Sequence, residues 1–172
     1  MAVYIALLRA VNVGGTGKLP MADLEAMCVD AGFSKVRTYI ASGNVVFHSK
    51  RPAKQVKAAL EERLQSYAGK PISLVVRTAG ELVAVLEANP FTNAHPSRTV
   101  AIFLDEPPPV DALSHATGQG REETRLGKRE VYVHYPDGIG RSKLTIPAAR
   151  NGTMRNMNTI AKLVAISAKT RG

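Results

Sequence analysis

The sequence predicts an α+β protein of two tandem ferredoxin-like units, each a split β-α-β arrangement with a mostly antiparallel sheet. Three observations carry that prediction. Strand-length apolar runs and amphipathic stretches follow one another in the order β-α-β-β-α-β over residues 1–78. Part of that order returns over residues 79–172, ending in a basic helix. With 45% hydrophobic residues in a chain of 172, there is enough apolar material for one core or for two small ones.

The elements follow in order. Val3 to Val11 is a β-branched and apolar run that leads into a glycine-rich loop, Asn12 to Leu19. A helix is expected from Pro20 to Ala31, because Met21, Leu24, Met27, Cys28 and Ala31 share one face. Lys35 to Ile40 and Asn44 to His48 make two strands joined at Ala41-Ser42-Gly43, a turn-like cluster of the hairpin kind. A helix from Ala53 to Tyr67 and a strand from Ile72 to Arg77 complete the first unit. In the second, a short helix near Gly80 to Glu87 leads past Asn89-Pro90 to a strand over Thr99 to Leu104. Pro107-Pro108-Pro109 interrupts the chain before a weak helix at Val110 to Ala116. Glu123 to Leu126 and Glu130 to Tyr135 read as a hairpin turned at Gly127-Lys128. Thr153 is the expected N-cap of a last helix reaching Ala168, with Met157, Ile160, Ala161, Val164 and Ala168 as its apolar stripe.

Composition narrows the function classes. One cysteine excludes an internal disulfide framework, and no apolar run is long enough for a transmembrane helix, so no membrane partner is expected. Met1 to Leu8 runs into Arg9 without a basic leader or cleavage site, which reads as a buried strand in a cytoplasmic protein. The formal charge of +9 is spread over both halves, with 11 basic against 6 acidic residues in 1–86 and 12 against 8 in 87–172. Such a charge steers phosphates, nucleic acid or acidic surfaces, or simply keeps the protein in solution.

Two glycine-and-cation loops and one basic tract are the candidate sites. Asn12-Val13-Gly14-Gly15-Thr16-Gly17-Lys18 lies between a strand and a helix, where backbone N–H groups and a lysine can cradle a phosphate; a flexible connection is the plainer alternative. It is not a Walker A loop, which needs glycine at Asn12 and a hydroxyl residue at Leu19, and its glycine spacing does not fit a dinucleotide fingerprint. Gly138-Ile139-Gly140-Arg141-Ser142-Lys143 is the second loop. The third feature is the last 35 residues, which carry seven Lys or Arg and no Asp or Glu. Within them Arg155, Asn156, Asn158 and Lys162 either face an anion near a helix N-terminus or clamp the two halves together through hydrogen bonds and an ion pair.

Enzyme chemistry has little to build on. The four histidines are scattered singly without metal-ligand spacing, and Cys28 falls on an apolar helix face as a buried, inert thiol. Ser42 lies in a hairpin turn, outside the strand-to-helix context of a catalytic serine. Glu122-Glu123 reads as surface charge. Tyr4 sits in a strand like the first of an RNA-recognition module, but the partner strand offers only Phe47, so Tyr4 reads as a core aromatic. No cofactor is expected.

Several blocks together resemble a known family: Leu7-Leu8-Arg9-Ala10-Val11-Asn12-Val13-Gly14-Gly15 with Lys18, Pro20-Met21 and Leu24; Val36 to Phe47 with its Ala41-Ser42-Gly43-Asn44 turn; Asn89-Pro90-Phe91; and Arg155-Asn156-Met157-Asn158-Thr159 with Lys162-Leu163. The chain resembles the bacterial family catalogued as domain of unknown function 1697. Ala10 stands where that family usually has Gly, and Met157 where it usually has Trp. The resemblance implies two tandem ferredoxin-like units and no established activity.

The function expected from these residues is the binding of a phosphate-bearing partner, nucleic acid or nucleotide, through Arg9, Asn12, Gly14, Gly15, Lys18, Arg141, Lys143, Arg155, Asn156, Asn158 and Lys162. One alternative is an enzyme acting on a small phosphorylated or acyl-phosphate substrate. In that reading Arg9, Asn12, Gly14 and Gly15 hold the phosphate while Asn44 or Asn158 positions water. Another is a protein-interaction module.

Overall fold

The structure, a computed structural model, describes residues 1–12 and 18–170. By its contacts the chain falls into two compact units, Met1–Val83 together with Lys162–Gly172, and Ala84–Ala161.

In the first unit the order is β1 (Ala2–Leu8), α1 (Met21–Asp30), β2 (Ser34–Tyr39), β3 (Asn44–Ser49), α2 (Ala53–Ala68) and β4 (Leu74–Thr78). The sheet runs β2-β3-β1-β4 with every pairing antiparallel, the split β-α-β topology expected from the sequence. Strand alternation puts Tyr4, Ala6 and Leu8 of β1 on one face beside Val45, Phe47, Leu74 and Val76. Leu24 and Cys28 of α1, and Val56, Leu60 and Leu64 of α2, cover that face as the periodicity requires. Phe33 stacks on Phe47 with ring centroids 4.4 Å apart. Tyr4 is part of this core, its hydroxyl donating to the Arg51 carbonyl at 2.7 Å, so it offers no base-stacking platform. Burial pushes the Cys28 thiol up to about 12, which keeps it protonated and inert at neutral pH.

The hairpin turn depends on Gly43, whose φ is +90°; a Cβ there would stand 2.7 Å from Val11 Cγ2 and 2.9 Å from Leu8 Cβ. Asn44 is fully buried and donates from Nδ2 to the Tyr39 carbonyl and the Ser42 hydroxyl, both at 2.9 Å, which fixes the turn from inside.

A helix α3 (Ala79–Glu87) opens on a reciprocal cap. The Thr78 hydroxyl accepts from Glu81 N at 3.1 Å, and the Glu81 carboxylate accepts from Thr78 N at 2.8 Å.

The second unit repeats the sheet topology with four strands, β5 (Thr99–Phe103), β6 (Glu123–Leu126), β7 (Glu130–His134) and β8 (Thr153–Asn156), in the order β6-β7-β5-β8 and antiparallel throughout. The crossovers that are α1 and α2 in the first unit are here loops holding short 3-10 turns at Ala112–His115 and Pro147–Ala149. Leu113, Ala116, Leu144, Ile146 and Ala149 from those loops pack on Val100, Ile102, Val131 and Val133. On the opposite face the Tyr132 hydroxyl donates to the Val85 carbonyl at 2.9 Å.

The structure corrects the C-terminal reading. Thr153 is not a helix cap but the first residue of β8, which pairs Ala101 with Arg155 and Phe103 with Thr153. The helix α4 runs Met157–Thr170, and Asn156 caps it by accepting from Thr159 N at 2.9 Å. The competing constraint is β5, a central strand whose second edge needs a partner along 153–156. The apolar stripe turns with it: Met157, Ile160, Leu163 and Ile166 are buried, whereas Ala161 and Ala168 are exposed. Met157 is 3% exposed, so it fills core and offers no stacking surface.

Ala10 has φ +55°, a left-handed conformation that costs an L-residue about 1 kcal/mol relative to glycine. Replacing Ala10 by Gly is therefore expected to raise unfolding stability by about 1 kcal/mol, read from the denaturant midpoint at unchanged m-value.

Candidate functional site

The second glycine-and-cation loop is built from the end of β7. Past His134 the chain turns at Pro136-Asp137-Gly138, with Gly138 N donating to the Tyr135 carbonyl at 3.0 Å and Gly138 at φ +85°. Arg98 donates to the Pro136 carbonyl and anchors that turn. A 3-10 turn over Ile139–Arg141 follows, and Leu144 N donates to the Ser142 hydroxyl at 3.1 Å.

A second segment closes on this one. Thr117 and Thr145 exchange backbone hydrogen bonds of 2.9 and 2.8 Å. Gly118, at φ +71°, then passes so close to residue 143 that a Cβ would lie 2.1 Å from the Lys143 carbonyl oxygen. Only glycine fits that approach. The paired segments enclose a cavity of about 270 Å³ walled by Arg121, Arg141, Lys143, Glu122, Asp137 and Tyr135 together with three glycines, 118, 120 and 138.

Charge around the cavity is unevenly satisfied. Arg121 Nη2 lies 3.3 Å from Asp137 Oδ1, and both carboxylate oxygens of Glu122 accept from Gly120 N at 3.1 and 3.0 Å. Arg141 and Lys143 have no carboxylate partner among the described residues, and both are exposed at the rim. Tyr135 is buried beneath them; burial, and then the Glu122 carboxylate, raise its phenol above the usual tyrosine range, so it stays a hydroxyl donor at neutral pH. Two unpaired cations, one hydroxyl and a glycine-lined wall suit an anion.

The other candidate residues do not converge on this cavity. Gly14 and Gly15 lie outside the described residues. Asn12 sits beside them with φ +55°, and its side chain is engaged: Nδ2 donates to the Leu19 and Ala41 carbonyls at 2.7 and 2.8 Å, and Oδ1 accepts from Leu19 N at 2.6 Å. Arg9 N donates to the Ser73 carbonyl. Lys18 lines a separate, mainly apolar pocket of about 250 Å³ with Lys70, Leu19 and Ile72. Arg155 is a strand residue, not a helix-face cation; it is buried, donates to the Met154 carbonyl at 2.9 Å, and desolvation lowers its guanidinium to about 10, still charged at neutral pH. Asn158 and Lys162 are exposed on α4. Sequence reasoning missed Arg121, Gly118 and Tyr135. The signal was present in Gly118-Gln119-Gly120-Arg121, which has the same glycine-and-cation composition as residues 138–143.

Among the described residues no group of three or more His, Cys, Asp or Glu could hold a metal ion, and no helix is long and apolar enough to cross a membrane.

A family model described as "Protein of unknown function (DUF1697)" matches residues 1–132. The chain belongs to this family. The matched region contains the Arg9, Ser42-Gly43-Asn44 and Asn89-Pro90-Phe91 blocks and Arg121, whereas Arg141, Lys143 and Arg155 lie beyond it. A solved structure described as a conserved bacterial protein, SP0830, from Streptococcus pneumoniae is similar over 96% of this chain and 98% of its own, with a TM-score of 0.79 and 25% identity. No curated protein matches the chain.

The Gly118 contact generates a paired prediction. Gly118→Ala is expected to lower stability by more than about 1 kcal/mol, through both the left-handed φ and the collision with the Lys143 carbonyl. Gly140→Ala, which meets nothing within 4 Å and needs no positive φ, should change it by less than about 0.5 kcal/mol. Denaturant titration of the two variants beside the wild type checks both.

Proposed function

We propose that this protein binds a phosphate-bearing partner, a nucleotide or a nucleic-acid strand, with the phosphate held at the Arg141 and Lys143 rim of the 118–143 cavity. The observation that supports this is the pair of cations, without carboxylate partners among the described residues, at the rim of one glycine-lined cavity. An unpaired cation is restored by an anion at no cost in broken ion pairs, and a guanidinium beside an ammonium matches the charge and geometry of a phosphate. At about 270 Å³ the cavity is at the small end of ligand sites, which run from roughly 300 Å³ upward. It accommodates a phosphate and its immediate substituent, leaving a base or the next nucleotide outside. The net charge of +9 adds long-range attraction that weakens with salt.

The acyl-phosphate enzyme reading has less support. The Nδ2 donors of Asn12 and Asn44 are spent on backbone carbonyls and a turn hydroxyl of their own loops.

A thermal-shift titration with pyrophosphate, nucleoside monophosphates and short single-stranded oligonucleotides tests the proposal, because a ligand that binds only the folded state raises its melting temperature. The expected result is a shift that shrinks as salt rises. Removing both cations in Arg141→Ala/Lys143→Ala should abolish most of it, and should flatten the log–log salt slope for oligonucleotides by about 1.4. Binding that is indifferent to salt, or unchanged in the double variant, would contradict it.

A further inference from the structure

The Asn89-Pro90-Phe91 segment has no part in the phosphate proposal, yet it closes one side of another cavity in the second unit. This cavity measures about 320 Å³ and is lined by Pro90, Phe91, Asn93, Ala94, Glu123 and His134. Asn89 Oδ1 accepts from Phe91 N at 3.0 Å, which bends the segment back over the sheet. The Phe91 ring is buried, with its centroid 6.1 Å from that of His134, and the Arg125 guanidinium lies 6.0 Å from the Phe91 centroid.

Glu123 and His134 are cross-strand partners in the β6–β7 register. His134 Nδ1 is enclosed, without a hydrogen bond, 3.6 Å from Glu123 Oε1. A carboxylate at that distance favours a proton on Nδ1. The side chain is 17% exposed while Nδ1 is buried, so the accessible edge of the ring is the one carrying Nε2. Nε2 is therefore the ring nitrogen that a ligand in the cavity would meet, and an imidazole nitrogen pairs with a hydroxyl either as donor or as acceptor.

We propose that this cavity is a binding site for a small, uncharged polyhydroxyl ligand of the sugar class. Its polar groups are an imidazole nitrogen, the Glu123 carboxylate, which accepts, and the Asn93 carboxamide, which both donates and accepts; hydroxyl groups, being donors and acceptors at once, satisfy all three. Pro90, Phe91 and Ala94 supply apolar surface for the C–H faces of such a ligand. Charge selects the neutral class from both sides. The Glu123 carboxylate in the lining repels an anion and the Arg125 guanidinium beside the Phe91 ring repels a cation, so a neutral ligand is the one that neither repels.

The test is a titration of the labelled full-length protein with glucose, followed through the His134 imidazole resonances. Glucosamine and glucose 6-phosphate serve as cationic and anionic counterparts. Glucose is expected to move the His134 signals saturably and both charged analogues to move them less. Asn93 is exposed and makes no hydrogen bond among the described residues, so Asn93→Ala keeps the fold; it should weaken the response roughly fivefold, as should Glu123→Gln. Arg141→Ala/Lys143→Ala should leave it unchanged, which separates this site from the phosphate cavity. Failure of glucose to shift His134 at any soluble concentration would overturn the proposal. So would tighter binding of either charged analogue, or an undiminished response in both Asn93→Ala and Glu123→Gln.

Discussion

The close approach of Gly118 to the Lys143 carbonyl is the constraint on which the candidate site depends. The Thr117–Thr145 exchange sets the two segments side by side, but two backbones come this near only where one lacks a Cβ. That contact holds the Arg121 side of the cavity against the Arg141 and Lys143 side. Without it, two exposed cations would sit on a loose surface loop, where lysines and arginines are commonplace and mean little.

The two units cover equivalent sheets by different means. Their sheets share one topology, β2-β3-β1-β4 and β6-β7-β5-β8, yet the first is covered by α1 and α2 whereas the second is covered on the equivalent face by loops with 3-10 turns. A helix satisfies its own backbone and presents a closed surface; an irregular crossover leaves N–H groups, turns and glycines near the sheet. Both cavities open in the second unit and flank the same end of β6 and β7. Arg121, Glu122 and Tyr135 line one of them. These three lie just outside the strands, whereas Glu123 and His134, the end pair of the β6–β7 register, line the other.

Most of the fold was legible in the sequence because its signals are local. The α1 face, the Gly43 turn and the Glu123–His134 hairpin follow from periodicity and turn chemistry. The C-terminal boundary was not, because both Thr153 and Asn156 are good caps. What decided between them is a non-local demand, the bare edge of β5, which no window around residue 153 contains. Arg155 moved from a helix face to a buried strand position for the same reason. The site was half legible: Arg141 and Lys143 stood out by composition, and Cys28, Tyr4 and Ser42 read correctly as structural. Arg121 and Gly118 did not stand out, since their importance lies in a pairing some 25 residues away across the crossover.

The central claim is that an anion seats between Arg141 and Lys143 in the cavity that Gly118 closes. A crystal of the full chain soaked with tungstate, a heavy tetrahedral stand-in for phosphate, tests it directly through anomalous scattering. A peak is expected within hydrogen-bonding distance of the Arg141 guanidinium and the Lys143 ammonium. Tungstate bound elsewhere, with this cavity free of it, would rule out an anion seat there.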